Sequence, residues 1–178
     1  MMEVTYDKVA YFYDRTIAHI KCVLLIQEYV NKQFGSQFKV NYWHDATKFY
    51  RDSLMGYFYI TFKYLGEKLT RDEDQRCKDA WKNHYTTEAH HPEFYTSFGS
   101  LESMDKQKIF EMCCDWLAMS YEFKEEDWTN FWRETASNKY SWTNEQRERI
   151  ERILNYANMY KNEIVEMLDE KVTFPKWK

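Results

Sequence analysis

Tyr42-Trp-His-Asp-Ala-Thr-Lys-Phe49 is the stretch from which the rest of the chain can be read. His44 and Asp45 set an imidazole nitrogen and a carboxylate oxygen side by side, two donors that divalent ions accept. Lys48 follows three residues after the aspartate, which on a helix brings its cation to the same face. A single His-Asp pair arises easily by chance. The other four histidines, His19, His84, His90 and His91, fall in stretches that read as helical. A further carboxylate, Asp115, stands inside the apolar run Phe110-Glu-Met-Cys-Cys-Asp-Trp-Leu-Ala-Met119. The order His, His-Asp, His, His-His, Asp predicts one metal site gathered from four helices.

Composition sets the fold class. The 178 residues include four Gly and two Pro, where average usage gives roughly twelve and nine. Turns are therefore few and elements long, and the expectation is an all-α helical bundle forming a single domain over 1–178. Aromatic residues make up 19%, with seven Trp and fifteen Tyr, so the core is expected to be built largely from rings. The net charge of −4 argues against a general nucleic-acid or anionic-membrane surface. No apolar run approaches the roughly 18 to 20 residues that span a bilayer, and Met1-Met-Glu-Val-Thr-Tyr-Asp7 lacks the pattern of a secretory signal. Cys22, Cys77, Cys113 and Cys114 show no Cys-x-x-Cys spacing and read as buried thiols in a reducing compartment, hence a cytoplasmic location.

Periodicity places the candidates. A first helix is expected from about Val4 to Phe34, with Val9, Phe12, Ile20, Val23, Leu24, Gln27 and Val30 at three- and four-residue spacing. His19 lies on the edge of that arc, where a lone histidine is more often a core residue bonded to a carbonyl. A second helix is expected from about Asn41 to Leu65, with His44, Lys48, Met55 and Phe62 on one stripe. The helix dipole explains Asp45 as a first-turn carboxylate, but not a histidine and a lysine on the apolar stripe. A third helix, capped by Thr70, runs through His84 towards His90 and His91. His84, Glu88 and His91, at i, i+4 and i+7, share a face, and Pro92 pushes His91 out of helical geometry. At such an irregular end both adjacent histidines can turn into one pocket, although three histidines in eight residues also arise as a surface cluster.

Residues 94–104 read as a loop. The next helix, about Asp105 to Phe123, carries Ile109, Met112, Cys113, Trp116, Met119 and Phe123 inward, with Asp115 near the face of Glu111, Met112 and Met119. A buried carboxylate must meet a cation or a donor, and a structural salt bridge would serve as well as a metal. Lys124 to Trp142 reads as a short helix plus a loop. Thr143-Asn-Glu-Gln146 is a capping box for a last packing helix, from Glu145 to about Glu170. There is no internal repeat, glycine-rich phosphate loop or Gly-x-Ser-x-Gly elbow.

Five histidines and two aspartates exceed what one four-coordinate ion takes, and the lack of clustered thiols argues against a closed structural zinc site. One or two divalent transition-metal ions (Mn, Fe, Zn, Co or Ni) are expected. If two, Asp45 bridges them, with His19, His44 and Asp115 on the first and His84, His90 and His91 on the second. Such a centre is net positive, suits an anionic phosphoester, and acidifies a coordinated water for in-line attack on phosphorus.

These residues resemble the HD-domain superfamily of metal-dependent phosphohydrolases, an all-helical group with the order His, His-Asp, Asp. Lys48 three after Asp45, and a histidine pair before the last aspartate, are similar to its polynuclear-metal members, above all the subgroup that cleaves cyclic di-GMP. The resemblance covers about residues 15–120. It implies that His19, His44, Asp45, His84, His90, His91 and Asp115 ligate metal and that Lys48 contacts phosphate. The chain departs from that subgroup in three ways. Pro92-Glu-Phe-Tyr95 stands after His-His in place of Gly-Tyr-Pro, the gap from His84 to His90 is much shorter, and position 15, a glutamate ligand in some members, is Arg15. His-Asp-x-x-Lys-Phe, His-His-Pro-Glu-(aromatic) and Cys-Asp-Trp are also similar to a small family of bacterial and phage proteins without an established activity.

The resemblance implies hydrolysis of a small nucleotide or cyclic nucleotide phosphoester, with Asp45 bridging and Lys48 or Arg15 stabilising phosphate charge. Lys48, Arg51, Lys82 and Glu88 are the expected substrate contacts, and Tyr42, Trp43, Tyr85, Phe94 and Tyr95 are candidates to stack on a base. An acidic chain without a basic stripe fits a small substrate better than a polymer. Two alternatives remain open at this level: an HD-type di-iron oxygenase with the same ligands, and a non-catalytic helical protein that binds a nucleotide or a protein.

Overall fold

The computed structural model describes residues 1–177, and every regular element among them is helical. Lys178, the last residue of the expected domain span, lies outside the described residues. Helix α1, Tyr6–Gln33, starts where the Thr5 side chain accepts the Lys8 amide. It stops before Gly35, whose φ of 72° turns the chain away. Helix α5, Lys106–Glu122, is capped by Asp105 and buries residues on nearly all its faces: Ile109, Phe110, Met112, Cys113, Cys114 and Leu117. It lies between α1 and α7, Asn144–Met159, and α8, Lys161–Lys171, packs back on α1. The capping box of Thr143 and Gln146 forms as expected, and the Gln146 amide also donates to the carbonyls of Leu101 and Met104. These elements share one hydrophobic cluster centred on Phe110, Leu117, Ile150 and Leu154.

A second cluster forms around α2, Arg51–Tyr64, and α3, Arg71–Thr87, with Phe12 of α1 against Phe58 and Phe62. The two helices approach closely at Gly56. A Cβ there would lie 2.3 Å from the Ala80 Cβ and 2.5 Å from the Arg76 carbonyl oxygen, so only glycine fits. The seam between the two clusters is where the polar side chains meet.

Several expectations are corrected. The second helix begins at Arg51, not Asn41. Ahead of it the Asn41 side chain accepts the Trp43 amide, Asp45 takes a left-handed φ of 59°, and Ala46–Phe49 forms a 3₁₀ turn. The third helix ends at Thr87, and Glu88 and His91 are extended. Residues 94–104 are not a continuous loop: Pro92 opens the short helix α4, Pro92–Phe98, and Leu101–Ser103 forms a further 3₁₀ turn. The last helix breaks at Tyr160, where the Lys161 ammonium donates to the carbonyls of Glu125 and Glu126. The 124–142 segment contains a π-turn, Trp132–Ala136, leading into α6, Ser137–Lys139. Val9 and Phe123, expected inside, are exposed. Among the described residues no helix is long and apolar enough to cross a membrane.

Candidate metal centre

The left-handed conformation at Asp45 is uncommon outside glycine, and aspartate is among the residues that tolerate it. It turns the carboxylate inward, where it is 1% exposed, and gives each oxygen a different set of neighbours. Oδ2 lies 3.4 Å from His19 Nε2 on α1 and 3.7 Å from His44 Nε2. Asp115 on α5 completes this first group, with Oδ1 3.0 Å from His19 Nε2 and 3.4 Å from His44 Nε2. Oδ1 of Asp45 faces the second group, 3.1 Å from His84 Nε2 on α3 and 3.8 Å from His90 Nε2. His91 Nε2 closes it, 2.9 Å from His84 Nε2. Within each group one atom from every residue lies within 4.8 Å of the others. With metal–ligand bonds of roughly 2.0 to 2.2 Å, ligands on one ion sit roughly 3.0 to 3.5 Å apart, close to these separations.

The residues fit a metal on a second count. His44 Nε2, Asp45 Oδ1 and His90 Nε2 are buried without a hydrogen-bond partner among the described residues. Burying such atoms unpaired is costly, and all three face the two groups. Oxygens lie near the far nitrogens of four rings, within a hydrogen bond at His44 and His84, whereas His19 Nδ1 and His90 Nδ1 have no hydrogen-bond partner among the described residues. Glu111 Oε1 is 3.3 Å from His44 Nδ1 and 3.5 Å from His90 Nδ1, Thr47 Oγ1 is 2.8 Å from His84 Nδ1, and Glu122 Oε2 is 3.9 Å from His19 Nδ1. At His44 and His84 a hydrogen-bonded oxygen behind the ring fixes which nitrogen is free to ligate. Glu111 itself is steadied by the Asn41 amide and the Lys108 ammonium.

The electrostatics divide the two groups. Burial opposes protonation of His19, but hydrogen bonds to Asp115 and Asp45 outweigh it and raise the imidazole above its ordinary range. Burial likewise opposes charge on His44, yet Asp45, Asp115 and Glu111 push it up to about 10. Burial would raise Asp45 and Asp115; instead Lys48 and the histidines around Asp45, and His19 and His44 beside Asp115, hold both well below the usual carboxylate range. His90 and His91 are held well below the imidazole range by burial, then by the charge of neighbouring histidines. The first group holds protons that a metal would displace, and His90 and His91 are neutral and ready to ligate.

A family model described as a family of unknown function, DUF5662, matches residues 8–170. The chain belongs to this family. No curated protein and no solved structure gives a match. The matched span of the DUF5662 chain contains every residue of both groups.

Beside the centre lies a cavity of about 460 Å³, reached by His19, His84, His91 and Asp115 and walled by Tyr57, Trp81, Tyr85, Trp116, Phe131 and Tyr140. Lys48 lines it, paired with Asp45 Oδ2 and 5.4 Å over the Tyr57 ring. Arg15 lines it too, with Nε 2.7 Å from Glu122 Oε1. All seven expected metal ligands therefore come together with Lys48 and Arg15. The other expected substrate contacts do not. Arg51 and Lys82 are exposed on helix faces outside the cavity lining, and Glu88 stands behind the centre, with Oε2 3.8 Å from His90 Nδ1. Of the rings expected to stack, Tyr85 reaches the cavity, whereas Tyr42 and Trp43 are exposed and Phe94 and Tyr95 lie outside its lining. Glu111, Thr47, Glu93, Lys139 and Tyr140 were given no role from sequence. Only Glu111 carried a local signal, one helical turn before Asp115 on the same face.

Proposed function

We propose that the protein is a metal-dependent phosphohydrolase of HD-like architecture, acting on a small nucleotide or cyclic nucleotide phosphoester. One observation carries this reading: the two oxygens of Asp45 face two separate groups of ligand atoms, and both groups open on one cavity. Divalent ions bound there supply positive charge for the phosphoryl oxygens and a water acidic enough to attack phosphorus near neutral pH. Asp45 ties the two groups to a fixed separation. Thr47 Oγ1, 2.8 Å from His84 Nδ1, is placed to accept that nitrogen's proton, the tautomer that leaves Nε2 free for the centre. Lys48, held over Tyr57, offsets charge as it builds on the phosphoryl oxygens. The aromatic wall excludes water and offers flat faces to the organic part of the substrate.

Elemental analysis of the purified protein, followed by a panel of phosphomonoesters and phosphodiesters, tests the reading. The expected result is at least one equivalent of transition metal, with turnover that chelation abolishes and metal restores. A protein that takes up none of Mn, Fe, Zn, Co or Ni refutes the metal centre. Iron with substrate-dependent oxygen consumption and no phosphate release would replace hydrolysis by di-iron oxygenation.

A further inference from the structure

The charges around the cavity limit how many phosphates a ligand can bring. Three cations line it, and each already has a carboxylate. Lys48 is paired with Asp45, Arg15 with Glu122 at 2.7 Å, and Lys139 with Glu93 at 2.9 Å. Glu93 is held a second time, by the Tyr140 hydroxyl, so both of its neighbours are donors. Glu125, also in the lining, accepts a hydrogen bond from Ser120, a neutral partner. The remaining walls are rings. Away from the metal ligands the lining therefore has no surplus positive charge.

Resting on the phosphohydrolase reading, we propose that the substrate carries a single phosphoryl group on a flat, uncharged organic moiety, and that Glu93 excludes polyphosphates by occupying Lys139. The phosphoryl group belongs at the centre, where bound metal, held by the Asp45 groups, would answer its charge together with Lys48. A second phosphate would enter the ring-lined part of the cavity, where its charge meets Glu93 and Glu125 and finds no unpaired cation among the lining residues. Diphosphates, triphosphates and cyclic dinucleotides are disfavoured on the same ground. The volume of about 460 Å³ matches one small ligand buried on most sides.

The test compares phenyl phosphate with phenyl diphosphate as ligands of the Mn-loaded protein, by calorimetry and by competition in turnover. The wild type is expected to bind phenyl phosphate at least about tenfold more tightly, and Glu93→Gln to narrow that gap by about tenfold as Lys139 is released, the scale of one charge contact at a half-buried site. Equal or tighter binding of the diphosphate by the wild type overturns the single-phosphate assignment and leaves the hydrolase reading standing. Binding of neither overturns both. The wild-type comparison decides the substrate question even if Glu93→Gln does not fold. A folded Glu93→Gln with an unchanged preference removes the role given to Glu93.

Discussion

Gly56→Ala tests whether the hairpin of α2 and α3 sets the second group of ligands. In isolation the substitution should stabilise α2, because alanine exceeds glycine in a helix by about 1 kcal/mol. Here the new methyl meets the Ala80 Cβ at 2.3 Å and the Arg76 carbonyl oxygen at 2.5 Å, whereas ordinary contact begins at 3.4 Å. Neither neighbour is the end of a flexible side chain, so the helices must part by about 1 Å, and overpacking of this kind costs about 1 to 3 kcal/mol or more. Two clashes this short put the cost at the upper end, about 3 kcal/mol, so a net loss of about 2 kcal/mol is expected, which for a chain of this length lowers the melting temperature by about 4 to 8 °C. The shift also carries His84 away from Asp45, from which its Nε2 is now 3.1 Å. His19 and Asp115, on α1 and α5, stay in place. The variant should therefore bind its first equivalent of Mn or Co almost normally and its second much more weakly. Melting in the presence of a chelator, and metal titration followed by elemental analysis, read the two effects separately. Adding Ala80→Gly should recover part of the loss, since it removes the nearer contact but leaves the Arg76 carbonyl. A Gly56→Ala protein that melts higher than wild type, or loses both equivalents together, would refute this account of the hairpin.

Asp45→Ala should abolish metal uptake at both groups, whereas Lys48→Ala should keep its metal and lose turnover by a few kcal/mol of transition-state stabilisation, or about a hundredfold or more; equal metal content in the two variants would show the roles to be misassigned. Glu111→Gln should weaken metal affinity by about 10- to 100-fold at both groups, because one oxygen stands behind both His44 and His90. Thr47→Val, which touches only His84, should weaken the second group alone, and titration with Co distinguishes the two patterns. Burial raises the thiols of Cys22, Cys77, Cys113 and Cys114, so none should react with Ellman's reagent at pH 8 in the folded protein and all four should react in denaturant. Rapid reaction of Cys113 or Cys114 without denaturant would contradict the packing of α5.

The helical class was legible because scarce glycine and proline leave little else to build with, and the gathering of candidate ligands because histidine and aspartate declare their chemistry by type. The backbone between Asn41 and Tyr50 was not. A helical stripe through His44, Lys48 and Met55 was expected, yet Asp45 is left-handed and the helix starts at Arg51. The contact of Lys48 with Asp45 survives because three-residue spacing brings side chains together in a 3₁₀ turn as it does in an α-helix, so the neighbour was right on the wrong backbone. His84 and His91 also meet, but across the turn after Thr87 rather than along one helix. Arg51 and Lys82 fail for a different reason. They are near the site in sequence, and the faces of α2 and α3 that carry them are turned to solvent. The pairing that governs the charge of the cavity, Lys139 with Glu93, joins residues 46 positions apart in two short helices with no shared periodicity. A ligand's type is a property of one residue. Whether a cation is free to meet a phosphate is a property of what lies against it in the fold, which is why the metal site could be proposed from the sequence and the number of phosphates could not.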